Sequence, residues 1–224
     1  AQKYDLAILY NPEDKFSPSD KRAIQKFMKA GEKVGFSCEL ITKDDYNHLA
    51  EYDALFIRET TSVNHHTFRF ARRAEAEGLV VIDDSDSILK CSNKVYLSEL
   101  MQRHKIATPK TLILQRENLE DVKKHLGFPC VLKQPDSSFS NGVTKINSEE
   151  HLLQEIANLL DKSDLLIAQA FIPTSFDWRI TIFDKTPLFA CKYYMSRRHW
   201  QIYEKTHSGK VLSGRHETLA VSQA

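Results

Sequence analysis

Lys133 stands at the end of an apolar run, FPCVLKQ, and the residues after it, PDSSFSNGV, are small and polar and include Gly142. An ammonium at the end of a core strand suits a phosphate-bearing ligand, and small residues let backbone N–H groups approach an anion. A solvated edge lysine leading into an ordinary hairpin has the same sequence appearance. Lys94, in CSNKVYLSELM, opens a predicted helix, where the helix dipole opposes a cation and a negative partner would relieve it. In LLIAQAFIP, Gln169 interrupts an apolar strand that leaves its sheet at Pro173. The strand end offers backbone donors and acceptors to a purine edge, with Ala170, Phe171 and Ile172 as walls; a plain core strand with one outward polar residue is the alternative. In FDWRITIF and CKYYMSRRHW, Asp177 and Arg179 alternate along one face, and Lys192, Arg197 and Arg198 follow. Guanidinium and ammonium groups converging on one face suit carboxylate or phosphate, and a solvated basic turn is the bland reading. His65, His66 and Trp200 have no motif around them and read as surface or packing residues.

These side chains need a scaffold, and the chain alternates strand and helix signals from its start. DLAILY, SCELIT, DALFIR and LVVIDD read as strands. Between them lie SPSDKRAIQKFMKAGEKVG, with helix periodicity and a glycine stop, and NHHTFRFARRAEAEG, with Asn64 at its entrance and Gly78 at its exit. Such alternation predicts a parallel sheet covered by helices, a Rossmann-like layer. Beyond about residue 85 two helical stretches lead to the strand IATPKTLIL, a helix over 117–126, the strand PCVLKQ, the polar loop, the strand GVTKI and a helix capped by Ser148. DLLIAQAFI, DWRITIF and PLFACKYYM then follow closely, most simply as an antiparallel meander.

Composition bounds the rest. The 224 residues are 42% hydrophobic and 27% charged, and 31 Lys+Arg against 30 Asp+Glu leave +1. No global field favours nucleic acid or anionic lipid, so any anion site is local. Cys38, Cys91, Cys130 and Cys191 are far apart and form no zinc-like spacing, which predicts a reduced, cytoplasmic setting. No apolar run is long enough to span a membrane.

Taken in order, SNKVYLSELMQRHKIATPKTLIL, FPCVLKQPDSSFSNGV, LIAQAFIPTSFDWRITIF and PLFACKYY resemble the ATP-grasp superfamily and, within it, the RimK-like glutamate-ligase branch. The likeness covers roughly residues 85 to 200. It implies an α/β fold in which a Rossmann-like pre-ATP-grasp domain (1–89) precedes an ATP-grasp domain (90–224), with a lid subdomain over about 106–165 and the start of a C-terminal subdomain over 166–224.

The resemblance also implies roles. Lys94 and Lys133 would hold ATP phosphates, and Ser137, Ser138, Ser140, Asn141 and Gly142 would close over them, mobile without nucleotide. Gln169, Ala170, Phe171 and Ile172 would read adenine, and Asp177 would lie near the ribose. Arg179 and Lys192 would face the transferred phosphoryl group or the substrate carboxylate, with Arg197 and Arg198 toward substrate. The implied function is an ATP-dependent carboxylate–amine ligase working through an acyl phosphate, joining glutamate to a peptide or amino acid. A non-catalytic nucleotide-binding regulator or a structural α/β interaction domain is the alternative. The implied partners are ATP and an amino-acid or peptide substrate, with a homo-oligomer allowed and neither nucleic acid nor membrane. Mg²⁺ is the implied metal, but no late acidic cluster precedes HETLAVSQA, so its ligands are expected beyond residue 224 and the chain is expected to be a piece of something longer. Glu204 and Glu217 are the fallback carboxylates.

Overall fold

A computed structural model describes residues 3–14, 17–137, 142–161, 163–197, 199–205 and 211–221. The chain forms two compact units: Ala1–Thr108 with Gln134–Phe139 and Ser163–Ile167, and Pro109–Lys133 with Ser140–Lys162 and Ala168–Ala224.

The first unit is built on a parallel four-stranded sheet in the order β2-β1-β3-β4. Its strands are β1 (Tyr4–Leu9), β2 (Phe36–Ile41), β3 (Ala54–Ile57) and β4 (Val80–Ile82). Ala7, Ile8 and Leu9 on the central strand are fully buried, as expected where helices cover both faces of a parallel sheet. Helix α1 (Lys21–Lys33) begins where Asp20 Oδ1 accepts from the Ala23 N–H at 2.7 Å. A 3-10 helix over Lys43–Glu51, which periodicity does not announce, connects β2 to β3. Helix α2 (His66–Ala76) buries Phe70, Ala71 and Ala74 against a core that includes Leu9, Leu55 and Ile57. Its N-cap is His65 rather than Asn64, because the imidazole Nδ1 takes the place of a carboxamide oxygen toward the Thr67 N–H. Gly78 leaves the helix at φ +86°, a conformation glycine adopts without steric cost.

Helices α3 (Ser85–Ser92) and α4 (Lys94–Arg103) belong to this first unit. Asp84 caps α3, and Asn93 Oδ1 caps α4 by accepting from Val95 and Tyr96 N–H groups at 2.9 and 3.1 Å.

The second unit carries a sheet in the order β5-β8-β6-β7, from β5 (Thr111–Leu114), β6 (Cys130–Lys133), β7 (Val143–Ile146) and β8 (Leu166–Ala170). Helix α5 (Glu120–His125) precedes β6, and α6 (Glu149–Leu160) follows β7 from the predicted Ser148 cap, whose Oγ accepts from His151 N–H at 3.2 Å. A second sheet, in the order β13-β10-β9, joins β9 (Phe176–Phe183), β10 (Thr186–Tyr194) and β13 (His216–Leu219), and a ribbon pairs β11 (Tyr203–Lys205) with β12 (Val211–Ser213).

The predicted meander is therefore corrected. Only β9 and β10 form the antiparallel hairpin, while β8 is an inner strand of the other sheet. The buried run Leu166, Ile167 and Ala168 explains why: it is apolar on consecutive residues, as an inner strand requires. Among the described residues no helix is long and apolar enough to cross a membrane.

Candidate functional site

Lys133 ends β6, directly opposite Val143 across the antiparallel pair with β7. Its Nζ donates to Gln169 Oε1 at 2.6 Å, and Gln169 Nε2 donates in turn to Thr111 Oγ1 at 2.9 Å. Three strands thus aim one lysine: β6 carries it, β8 supplies the acceptor, and β5 fixes which way the carboxamide points. Burial pulls the ammonium below the ordinary lysine range, and the nearby Asp177 carboxylate pushes partly back. Gln169 is a side-chain brace for the lysine rather than an outward polar residue.

Beyond Ala170, whose N–H still reaches Lys110 O at 2.8 Å, the chain leaves the ladder. Ile172 is 56% exposed there, and Lys145 Nζ lies 3.7 Å from the centre of the Phe171 ring, which also meets Trp200 edge-on. Lys145, on β7, is a second cation of this neighbourhood that sequence reasoning missed, because it follows β6 across the hairpin with no motif of its own. Gly142, just before β7, has φ +60°, as a glycine closing this loop would need. Ser138, Ser140, Asn141 and Arg198 lie outside the described residues, as does most of the loop expected to be mobile. Ser137 and Gly142 are described.

Register separates the residues of the hairpin. Lys192 is opposite Trp178, whereas Arg179 is opposite Cys191 and Asp177 opposite Tyr193. Directly opposed residues share a face and successive ones alternate, so Arg179 and Lys192 occupy opposite faces and do not converge. On one face Lys192 packs its ammonium 4.9 Å from the Trp178 ring centre, with Glu217 as its cross-strand neighbour on β13. On the other, Arg179 stacks 4.4 Å over Tyr193, and Asp177 accepts from Thr174 Oγ1 at 3.3 Å. Arg197 is exposed in the turn after β10.

In the first unit, the start of α4 clasps the segment after Lys133. Lys94 N–H donates to Pro135 O at 3.0 Å, Asn93 Nδ2 to Asp136 Oδ1 at 2.9 Å, and Lys94 Nζ to the Ser137 carbonyl and, at 3.1 Å, to its Oγ. The predicted need of Lys94 for negative partial charge is met here by carbonyl oxygens.

Lys94 and Ser137 also line a cavity of about 610 Å³ with Arg58, Glu59, Asp83 and Cys91, within the size range of small-molecule pockets. Arg58 is held by Ser19 Oγ at 2.7 Å and by the Phe27 and Phe56 rings. Burial pushes Asp83 upward, and Arg58 partly offsets this. Sequence reasoning missed these cavity residues, since a charged pair after a short strand looks like any loop.

Cys130 is fully buried and its thiol is raised to about 11, so it is a packing residue and not a nucleophile. Among the described residues, the one group of three carboxylate, imidazole or thiol side chains that converges is Glu59, His65 and His66. That set is rich in nitrogen, while Mg²⁺ takes oxygen, so it does not fit the magnesium expected with ATP. Glu204 and Glu217 instead accept hydrogen bonds from Ser196 and Tyr194, each at 3.3 Å.

A parallel α/β layer followed by a lysine-bearing sheet, a polar loop and a long hairpin is the ATP-grasp arrangement, and comparison bears this out. Residues 91–187 match the family model of the RimK-like ATP-grasp domain. Over that stretch the chain is similar to the RimK-like branch of ATP-dependent, amide-bond-forming ligases. It is 27% identical over 191 residues to the alpha-aminoadipate–LysW ligase LysX of Saccharolobus solfataricus, spanning 79% of this chain and 68% of that protein. The RimK domain ATP-grasp protein of Sphaerobacter thermophilus superposes with TM-score 0.66 at 12% identity, covering 95% of this chain and 90% of that one. D-cycloserine synthetase DcsG superposes with TM-score 0.72 at 16% identity, covering 97% and 75%. At such identities the solved structures speak for the fold.

Proposed function

We propose that the chain binds ATP through Lys133 and uses it to join a carboxylate to an amine. The observation that carries this reading is Lys133: a partly buried ammonium, held at a strand end by the neutral oxygen of Gln169 and so left with its charge for an anion. Phe171 and Ile172, past the end of β8, would meet the adenine, with Asp177 near the ribose.

The chemistry follows from what a carboxylate lacks, a leaving group. A carboxylate oxygen attacks the γ-phosphorus, the bond between that phosphorus and the β,γ-bridging oxygen breaks, and ADP departs. The amine nitrogen then attacks the acyl carbon, phosphate leaves with the C–O electron pair, and the nitrogen gives up a proton to complete the amide. Positive side chains stabilise the charge gathered at the transferring group. Lys133 serves that role in this reading; of the hairpin cations, only one of Arg179 and Lys192 can share a face with the reacting groups. Mg²⁺ would supply further charge neutralisation when bound with the nucleotide.

The LysX relative, by its name, ligates alpha-aminoadipate to LysW. Glutamate or a one-carbon-longer homologue is accordingly the substrate class we assign to the ligation, with the cavity beside Arg58 as the place for an amino-acid carboxylate. The test is calorimetric titration with ADP, followed by phosphate release on mixing ATP, Mg²⁺ and amino acids. ADP binding without amino-acid-dependent phosphate release would favour a regulatory nucleotide module, and no ADP binding would leave only an interaction domain.

A further inference from the structure

Two histidines set aside in the sequence as packing residues meet a buried carboxylate. Glu59, just after β3, is 5% exposed, and its Oε2 lies 2.7 Å from His66 Nε2. The His65 ring stacks on that of His66 with centroids 3.9 Å apart. One ligand atom from each of the three side chains lies within 4.8 Å of the other two. We infer that Glu59, His65 and His66 form a binding site for a divalent transition-metal cation of the zinc type, distinct from any magnesium that accompanies ATP. The inference does not rest on the ligase reading.

Donor chemistry carries the choice of ion. Two imidazoles and one carboxylate are borderline ligands that suit Zn²⁺ and its first-row neighbours, whereas Mg²⁺ and Ca²⁺ prefer oxygen alone. Three protein donors leave a coordination position for water or a small ligand, as in non-structural zinc sites. Zn–N and Zn–O bonds of roughly 2.0–2.1 Å place tetrahedral donors about 3.3 Å apart. The present spacing runs from 2.7 Å between Glu59 and His66 up to 4.8 Å within the set. It therefore needs a small opening of that contact and an approach of the third donor, with the metal replacing the proton that Glu59 and His66 share. Metal uptake would accordingly release a proton.

The surroundings hold the donors in place. His65 Nδ1 lies 3.1 Å from Oγ1 of Thr67, a residue with no exposed surface, so the ring is pinned and Nε2 is directed away from that contact. Glu59 cannot move far, since it follows directly on a core strand. The charged groups acting on the cluster are Asp14, which favours a cation, and Lys43 and Arg69, which oppose one. A dication joined to the Glu59 anion by direct bonds outweighs the two more distant side chains, whose charges are screened by solvent. Because Glu59 also lines the cavity beside Arg58 and Lys94, an ion there would lie at its wall.

The test uses the full chain stripped of metal by chelator, with Co²⁺ as the probe and Zn²⁺ and Mg²⁺ as competitors. Visible d–d absorption saturating near one Co²⁺ per chain is expected, displaced by Zn²⁺ and not by excess Mg²⁺. Glu59→Gln keeps the shape and a hydrogen bond to His66, and His65→Gln spares that pair; each should weaken Co²⁺ at least roughly tenfold with an unchanged circular dichroism spectrum. Zn²⁺ should also raise the melting temperature of the parent chain and not of the variants. A parent chain without cobalt bands, folded variants that bind as well as the parent, or displacement by Mg²⁺ would each overturn the inference and leave a hydrogen-bonded triad.

Discussion

Replacing Lys133 by Met separates the ligand role of this lysine from its structural one. Methionine keeps an unbranched chain of similar length and loses the charge. In the free protein two effects oppose each other. The Nζ to Gln169 Oε1 contact at 2.6 Å is lost, leaving a partly buried oxygen without that donor. At the same time the cost of holding an ammonium in a buried position, visible as its lowered pKa, disappears. Each effect is of order 1–3 kcal/mol, so folding stability is expected to stay within about 1 kcal/mol of the parent. Nucleotide affinity has no such compensation, because the phosphate loses a charge-assisted contact of roughly 1.5–3 kcal/mol, or about 10- to 150-fold in Kd. Calorimetric titration with ADP and urea unfolding, run on the same preparations, read the two quantities separately. Unchanged ADP affinity in Lys133→Met would refute the assignment. An affinity loss matched by an equal loss of stability would assign the lysine to the fold instead.

Because burial lowers the Lys133 pKa and Asp177 raises it, ADP affinity should weaken as pH rises toward the lysine range, and Asp177→Asn should move that fall to lower pH; titrations between about pH 7 and 10 decide this. Lys94→Met should loosen the Pro135–Ser137 segment, seen as faster amide exchange at Ser137, and an unchanged rate would argue that the Asn93–Asp136 contact suffices. Asp84 accepts from Ser87 N–H and Oγ, and these bonds hold its carboxyl below the usual range. Its stabilisation is therefore present above the unfolded carboxylate pKa and lost as pH falls through the lower folded one. Asp84→Ala should cost about 1 kcal/mol at neutral pH, with the gap closing in acid; a gap that stays open would show that capping charge is not the cause. At Gly214 a Cβ would overlap the Tyr194 carbonyl, so Gly214→Ala should destabilise the β10–β13 sheet by roughly 1–3 kcal/mol in thermal unfolding, and an unchanged melting temperature would contradict that packing.

Local signals carried most of the elements into the structure. The apolar runs around Ile8, Phe56 and Leu132 became strands, and Ser148 capped its helix as read, because burial on both faces and capping are encoded within a few residues. Partnership between strands is encoded less locally. The meander failed at β8, since nothing within LLIAQAFI distinguishes an inner strand between β5 and β6 from the next strand of a hairpin. The same gap hid the faces of Arg179 and Lys192. Their thirteen-residue separation suggests nothing until the register opposite Trp178 and Cys191 is known. At the candidate site, the place of Lys133 at a strand end was legible because it closes an apolar run. Its brace by Gln169 was not, because the two are brought together by strand order alone. Glu59, His65 and His66 show the opposite case: adjacent histidines are unremarkable in sequence, and the strand-to-helix turn gives them a carboxylate.

The way the lysines are held has a consequence for function. Lys90 and Lys123 are tied to Asp86 and Glu149, carboxylates that cancel their charge at the surface. Lys133 instead rests on the carboxamide of Gln169. A neutral acceptor fixes the position of an ammonium while leaving a full positive charge to act on a ligand, whereas a carboxylate partner would have to be displaced or repelled by an incoming triphosphate. Asp177 acts on Lys133 as a moderating field that partly offsets the lowering of its pKa by burial. A chain with a formal charge of only +1 can in this way present positive charge at a chosen strand end without a basic surface. If that reasoning holds, Gln169→Glu should weaken ADP binding by neutralising Lys133 even though the ammonium stays in place. Gln169→Leu, which removes the acceptor and leaves the charge, should weaken it less. Equal affinities in the two variants, measured by calorimetry, would mean that position rather than charge decides nucleotide binding at this lysine.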